Sequence, residues 1–318
     1  FRAVASSETS YGWFRSRSFI LFLSRTMTQY MRGVIMVLAS ALFLSTSGVG
    51  LRVIESAGAW QILFYRSISM ATLVFILLVL FNRGAWVSRF KTITKDDVLL
   101  AVVLGSGFVA YVFALLMTTV ANALFIFSAA PFLAAVLGWF LLRERVPLRT
   151  CVAIGGAMLG LIIMVGAGMA QGRYLGNLIA LWLPVSYAIS VVLVRRSRQP
   201  DMLVALFLAA CFAAFLSIPF VGQFSVTWWD FGVSVYLGVF QVGLGFTLLI
   251  LGARHVPAAQ VGLLALLEPV LGPIWAWFTV TEIPTAATLW GGLVILSAVA
   301  VDAGISAYKG APARRAAE

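Results

Sequence analysis

Charge is scarce in this sequence. Asp, Glu, Lys and Arg make up 10% of its 318 residues, against about a quarter in a soluble globular domain. That excludes an ordinary water-facing surface, and with it a cytosolic enzyme and a disordered chain. Cysteine is almost missing: Cys151 and Cys211 both lie in apolar runs. A disulfide-stapled scaffold is therefore excluded, and each reads as a small core residue. There is one histidine, His255. With no cysteine or carboxylate near it in sequence, it builds no zinc site and completes no Ser-His-Asp triad. No Walker pattern is present, and no cofactor or metal is expected.

What fills the sequence is apolar: 62% of residues, with a mean hydropathy of +1.03. A transmembrane helix needs roughly 20 mostly apolar residues. Ten such stretches follow one another, at about 32–52, 58–81, 98–117, 119–142, 151–170, 175–194, 203–221, 231–252, 258–279 and 286–306. They are continuous, so barrel strands, which alternate, are excluded. The expectation is an all-α membrane protein of ten transmembrane helices with no soluble domain. Residues 1–30 read as a disordered tail. Phe19–Leu23 is too short for a signal-peptide core, and Met27 or Met31 would be natural starts, so 1–26 read as tail or upstream sequence.

The net charge of +11 invites a nucleic-acid partner, and the placement of the charges argues against one. With ten spans, nineteen of the 22 basic residues fall on one side, in the N-terminal segment, the even-numbered loops and the C-terminal tail. Arg52 and Arg173 fall on the other, and Arg66 lies inside the second span. By the positive-inside rule both termini are cytoplasmic, and the basic charge faces anionic lipid headgroups. The expected location is the cell (inner) membrane, multi-pass.

Residues 105–144 align without gaps on 243–282. Gly105-Ser-Gly107-Phe108 matches Gly243-Leu-Gly245-Phe246, Asn122 matches Gln260, Pro131 matches Pro269, Trp139-Phe140 matches Trp277-Phe278, and Glu144 matches Glu282. The expected organisation is two repeats, 31–170 and 171–307, with a tail at 308–318. Five spans per repeat is an odd number, so the second repeat enters the membrane inverted. Inverted repeats are an architecture of secondary transporters, whose sites lie near the midplane between halves.

With its paired stretches Pro131–Glu144 (PFLAAVLGWFLLRE) and Pro269–Glu282 (PVLGPIWAWFTVTE), each followed by a proline and a Gly-Gly helix, the chain resembles the drug/metabolite transporter superfamily in its EamA-like branch. The resemblance covers roughly 31–306. It implies a helical carrier of small metabolites, amino acids among them, with a cavity between the halves and no enzymatic activity. It is nearly silent on substrate.

Ionisable groups inside spans are costly and are functional candidates. Glu268 lies about ten residues into the ninth span. It is a candidate for proton coupling or for a cationic group of the substrate; the plainer reading has it bonding backbone freed by Pro269, whose ring donates no N–H. Arg66 is a candidate for an anionic group or for an ion pair with Glu268, against simple snorkelling. Asn122 and Gln260 are paired amides that reach a substrate or join helices. Tyr65, Tyr111, Trp182, Tyr187, Gln241 and Trp275 are polar-edged groups that line a cavity or merely find partners in the core. Pro131 and Pro269 are hinge candidates, against static kinks. The Gly-x-Gly-Phe pairs and Gly156-xxx-Gly160 read as close helix packing, within the monomer or in a homodimer. Glu144 and Glu282 read as structural or gating groups at the membrane edge.

The leading reading is a secondary transporter of a small organic metabolite, an amino acid or related amphipathic compound. It works by alternating access, driven by protons, exchange or a downhill gradient. The alternative is an accessory or structural membrane protein without transport. An intramembrane enzyme would need paired catalytic groups within spans, which the sequence does not offer.

Overall fold

The computed structural model describes residues 29–82, 86–91, 93–143, 147–170, 173–196 and 201–315. Among these residues every regular element is helical. The long helices are α1 (Gln29–Arg52), α2 (Ala59–Asn82), α3 (Lys95–Met117), α4 (Val120–Leu142), α5 (Leu148–Ala170), α6 (Tyr174–Arg196), α7 (Met202–Phe220), α8 (Trp228–Ala253), α9 (Ala258–Ala265 and Leu267–Val280) and α10 (Ala286–Arg315). Nine of the helices among the described residues are long and apolar enough to cross a membrane. In α5 the apolar stretch is Thr150–Met164, shorter than the helix. Twenty-odd residues at ~1.5 Å each match a hydrocarbon layer of about 30 Å.

Polar residues at the helix starts set the boundaries. Thr94 caps α3 in a reciprocal box with Asp97. Thr119, Asp201 and Thr227 cap α4, α7 and α8. Each side-chain oxygen takes an N–H that the first helical turn leaves unpaired. The cap at Thr227 starts α8 three residues ahead of the apolar run, which brings Asp230 into its first turn. At the other end of the chain α10 continues to Arg315, past the expected start of the tail at 308. Glu144 and residues 1–28 lie outside the described residues.

The two halves pack through matching partners. α2 lies on α7, α4 on α9 and α5 on α10, while α3 lies on α6. The counterpart of that last contact is α1 on α8, where a Cβ at Gly33 would come within 3.1 Å of the Gly252 carbonyl oxygen. At α5–α10, a Cβ at Gly160 would sit 2.6 Å from the Gly291 carbonyl oxygen. The small-residue motif is thus spent on packing inside the chain.

Local geometry recurs at the repeat spacing too. α4 is interrupted at Ser128–Ala129 and α9 at Leu266. Pro131 and Pro269 each fall in the first turn after the break, where a missing N–H costs nothing. Both helices end on a left-handed residue, Arg143 (φ 55°) and Thr281 (φ 52°).

Loop residues meet in two sets. Arg89 pairs with Asp201, and Arg196 lies 3.9 Å from Asp96. The Tyr30 hydroxyl donates to Gln260 (2.9 Å), and Thr150 to Asp302 (2.8 Å). All of these residues adjoin the termini or the even-numbered loops. In the odd-numbered loops, Arg52 bonds Glu282 (2.9 Å) and the Thr118 carbonyl (2.7 Å). Asp230, with 0% exposure, accepts from the N–H groups of Glu55, Ser56 and Ala57 and from the Ser56 hydroxyl. Among the described residues, none of these bonds joins one set to the other.

The repeat's Trp-Phe pairs, Trp139-Phe140 and Trp277-Phe278, are exposed. So is Cys151, while Cys211 is half-buried. The expectation that both cysteines are core residues fails for Cys151. In a chain that lies in lipid, an apolar run does not mark the interior, because the outer face is apolar as well.

Candidate functional site

A cavity lies between the two halves. From the first half it takes Arg66 on α2, Phe108 and Tyr111 on α3 and Phe127 on α4; from the second it takes Tyr187 on α6, Gln241 and Phe246 on α8 and Glu268 on α9. Its frame is aromatic and follows the repeat. Phe108 and Phe246, partners in the Gly-x-Gly-Phe motif, face each other with ring centroids 6.0 Å apart. Its charges do not follow the repeat: Glu268 stands where the first half has Ala130.

Arg66 is 4% exposed. Its guanidinium carbon lies 5.9 Å from the centre of the Phe108 ring and 5.7 Å from that of Tyr111, within cation–π range. Its hydrogen-bond partner is the neutral Gln241 Oε1 at 3.4 Å. Tyr111 stands between the two charged groups. Its ring lies under Arg66, while its hydroxyl bonds Ser47 (2.6 Å) and reaches Glu268 Oε1 at 3.5 Å. Among the described residues no carboxylate lies within 4 Å of Arg66, so the Arg66–Glu268 ion pair, one of the alternatives for Arg66, does not form. Glu268 sits in the first turn of the second segment of α9, and its one hydrogen-bond partner among the described residues is the Tyr111 hydroxyl rather than the backbone freed there. The plainer reading of this carboxylate is therefore not what the structure contains.

The backbone is shaped to hold this arrangement. Residues Leu237–Leu244 of α8 form a π-helix, a widened turn that costs regular hydrogen bonding and is frequent at functional sites. It carries Gln241 toward Arg66. Gly238 allows it: a Cβ there would lie 2.2 Å from the Arg66 carbonyl oxygen. The two helices touch through bare backbone at the level of the guanidinium.

Of the ten binding candidates, the cavity takes Glu268, Arg66, Tyr111, Tyr187 and Gln241. The others lie elsewhere. Tyr65 donates to the Phe224 carbonyl in the α7–α8 loop. Trp182 is exposed and donates to Ser106. Gln260 accepts from Tyr30. Trp275 donates to Ser45 (3.1 Å) and lines a lateral groove with Trp228 and Trp229. Asn122 bonds Asn177 and Thr118 near the end of the bundle that carries Arg52. Pro131 and Pro269 border breaks in facing helices. Among the described residues no group of three His, Cys, Asp or Glu side chains gathers as a metal site.

Reading the residues missed Phe108 and Phe246, whose signal was present in the paired Gly-x-Gly-Phe motif but read as packing alone. It also missed Ser47 and Asp230. Ser47 carries no signal of its own in the run Ser45-Thr46-Ser47. Asp230 looked like loop because the apolar run begins after it.

The EamA-like transporter family model matches the chain twice, at residues 31–166 and 174–301. An uncharacterized transporter of Archaeoglobus fulgidus is 29% identical over 201 residues, covering 60% of this chain and 70% of that protein. A crystal structure superposes with a TM-score of 0.59 at 23% identity, over 85% of this chain and 96% of that one. It is similar in fold.

Proposed function

Because the chain belongs to the EamA-like transporter family and is a multi-pass membrane transporter rather than an enzyme, we propose that it carries a small zwitterion, an amino acid or a close relative, by alternating access. The observation that carries this reading is a pair of opposite charges in one aromatic cavity without counter-ions. Among the described residues, Arg66 and Glu268 each hydrogen-bond only a neutral partner, Gln241 and Tyr111. Charges held in a low-dielectric site are costly until they are paired. A ligand with a carboxylate and an ammonium supplies both partners at once, and the rings of Phe108, Phe127 and Phe246 receive its apolar part.

Glu268 binds either the ligand's ammonium or a proton. Occupancy by one excludes the other, which makes the carrier a proton exchanger. The ten-span reading is supported by the two separate sets of loop contacts, which alternate along the chain only if α5 also crosses. The inverted-repeat reading is supported by the matched helix pairs, the paired breaks in α4 and α9, and the double family match. On this reading both termini are cytoplasmic, in the inner membrane. The two halves rock about the cavity, with Pro131 and Pro269 bordering the points where α4 and α9 bend.

The test is uptake by proteoliposomes of a pooled set of labelled amino acids, with and without an imposed pH gradient. Uptake that follows the gradient in the native chain and not in Glu268→Gln supports the reading. Uptake that ignores the gradient and survives the substitution removes Glu268 from coupling. No uptake of any zwitterion refutes the substrate class.

A further inference from the structure

We propose a second ligand site at the end of the bundle that bears Arg52 and Arg173: a basin that takes a small carboxylate carrying an adjacent N–H or O–H donor. Its ligand class overlaps that of the central cavity, on which it rests for no residue.

The basin is lined by Arg52, Met117, Thr118, Thr119, Arg173 and Glu282 among others. It gathers both of the basic residues that the charge pattern places at this end of the chain. They face a single carboxylate. Glu282 is fully committed: one oxygen takes Arg52 at 2.9 Å, and the other takes the Val120 N–H at 2.6 Å. Arg52 spends a second donor on the Thr118 carbonyl. Arg173 is exposed and meets no acidic side chain within 4 Å among the described residues. The basin is thus left with one uncompensated positive charge.

A second observation points to a ligand beside Arg173. A narrow polar cleft opens from the basin, shared through Thr118, Thr119 and Arg173 and lined also by Asn122, Thr285 and Thr288. Asn122 is 3% exposed, and its Oδ1 has no hydrogen-bond partner among the described residues. A buried acceptor left unpaired is costly. Thr119 Oγ1 accepts from the Asn122 N–H, so its own hydrogen remains to be donated. The site therefore offers a guanidinium and a hydroxyl hydrogen to an anion, and an amide oxygen to a donor. An α-amino or α-hydroxy carboxylate meets all three. Chloride or a simple amine meets only part of the set.

Occupation has a mechanical consequence. The clasp of Arg52 and Glu282 ties the end of α1 and the start of α4, both in the first half, to the end of α9 in the second. A ligand carboxylate competes with Glu282 for Arg52, and so loosens the contact that holds this end shut.

The test uses the full chain, purified in detergent, with Cys151→Ala, Cys211→Ala and Met117→Cys. Met117 is on the basin wall and partly exposed. The rate of modification of the new thiol is read with L-alanine, lactate, acetate, methylammonium or chloride present. L-Alanine and lactate slow modification at saturation, and acetate needs about tenfold more for the same effect, the worth of a lost hydrogen bond to a buried acceptor. Arg173→Gln weakens protection by about tenfold, the worth of a hydrogen bond to a charged group. Arg173→Lys restores most of it, and Arg66→Gln leaves it intact. The proposal is overturned if no carboxylate protects, if chloride protects as well as L-alanine, or if Arg66→Gln abolishes protection, which would assign the effect to the central cavity. Protection without uptake would refute the central reading alone, and uptake without protection would refute this one alone.

Discussion

Replacing Arg66 by glutamine separates what the guanidinium does for a ligand from what it costs the fold. In the structure its favourable contacts are two ring faces at 5.9 and 5.7 Å and one neutral acceptor at 3.4 Å. The ring contacts amount to about 1–2 kcal/mol. Against them stands the removal of a cation from water, several kcal/mol even after relaxation. The substitution should therefore leave stability unchanged or raise it, with Tm no more than a few degrees lower. Binding behaves differently. A hydrogen bond from a charged donor to a ligand carboxylate is worth about 1.5–3 kcal/mol, which is roughly 10- to 100-fold in affinity. A matched pair of ligands, an amino acid and the amine left when its carboxylate is removed, makes the difference readable. Titration of the purified protein should show the amino acid losing that factor in Arg66→Gln. The amine should lose less than about threefold, since it never engaged the guanidinium. Equal losses for both ligands would refute the assignment of Arg66 to the carboxylate. A collapse in Tm by tens of degrees would instead make Arg66 an element of the fold.

Two further outcomes follow from the packing. Asp230→Asn keeps the shape of the clamp on Glu55–Ala57 but removes its charge and turns one oxygen into a donor facing N–H groups. The expected cost is about 2–4 kcal/mol, seen as a Tm lower by several degrees; a change below one degree would show that the clamp is not holding the α1–α2 loop. Gly238→Ala places a Cβ against the Arg66 carbonyl, 2.2 Å away, where backbone must yield. A loss of about 1–3 kcal/mol is expected, together with reduced uptake. Gly232→Ala on the same helix, with nothing within 4 Å, should be silent in both measurements, and equal effects at the two positions would remove the packing argument.

Much of the fold was legible because the bilayer imposes a length. A continuous apolar run of twenty residues has one stable form in lipid, since every backbone group must be satisfied within it. Apart from the end of α10, which runs on to Arg315, the helix bounds accordingly fall within a few residues of the runs. They shift where a cap decides, as at Thr94 and Thr227. Arg66 and Glu268 were legible for the complementary reason: a charge inside such a run is too costly to be incidental. The polar-edged aromatics were less so. Tyr111 and Tyr187 line the cavity, whereas Trp182 and Trp275 do not, and nothing in their local sequence separates them. In a soluble helix the polar face would mark the outside; here lipid and interior are equally apolar, and Cys151 shows how the distinction fails.

The sequence by itself determined the membrane class, the helical spans and the two charges set inside apolar runs, because hydropathy, spacing and the cost of charge in lipid act along the chain. The tertiary structure decided which residues meet. Tyr111 rather than Glu268 became the neighbour of Arg66. The π-turn at Leu237–Leu244, the bare contact at Gly238 and the clasp of Arg52 with Glu282 likewise depend on residues from α2 and α8, or from α1, α4 and α9, closing on one another. Such contacts between distant helices have no period and no local signature. They exist only once packing has chosen a face for each helix.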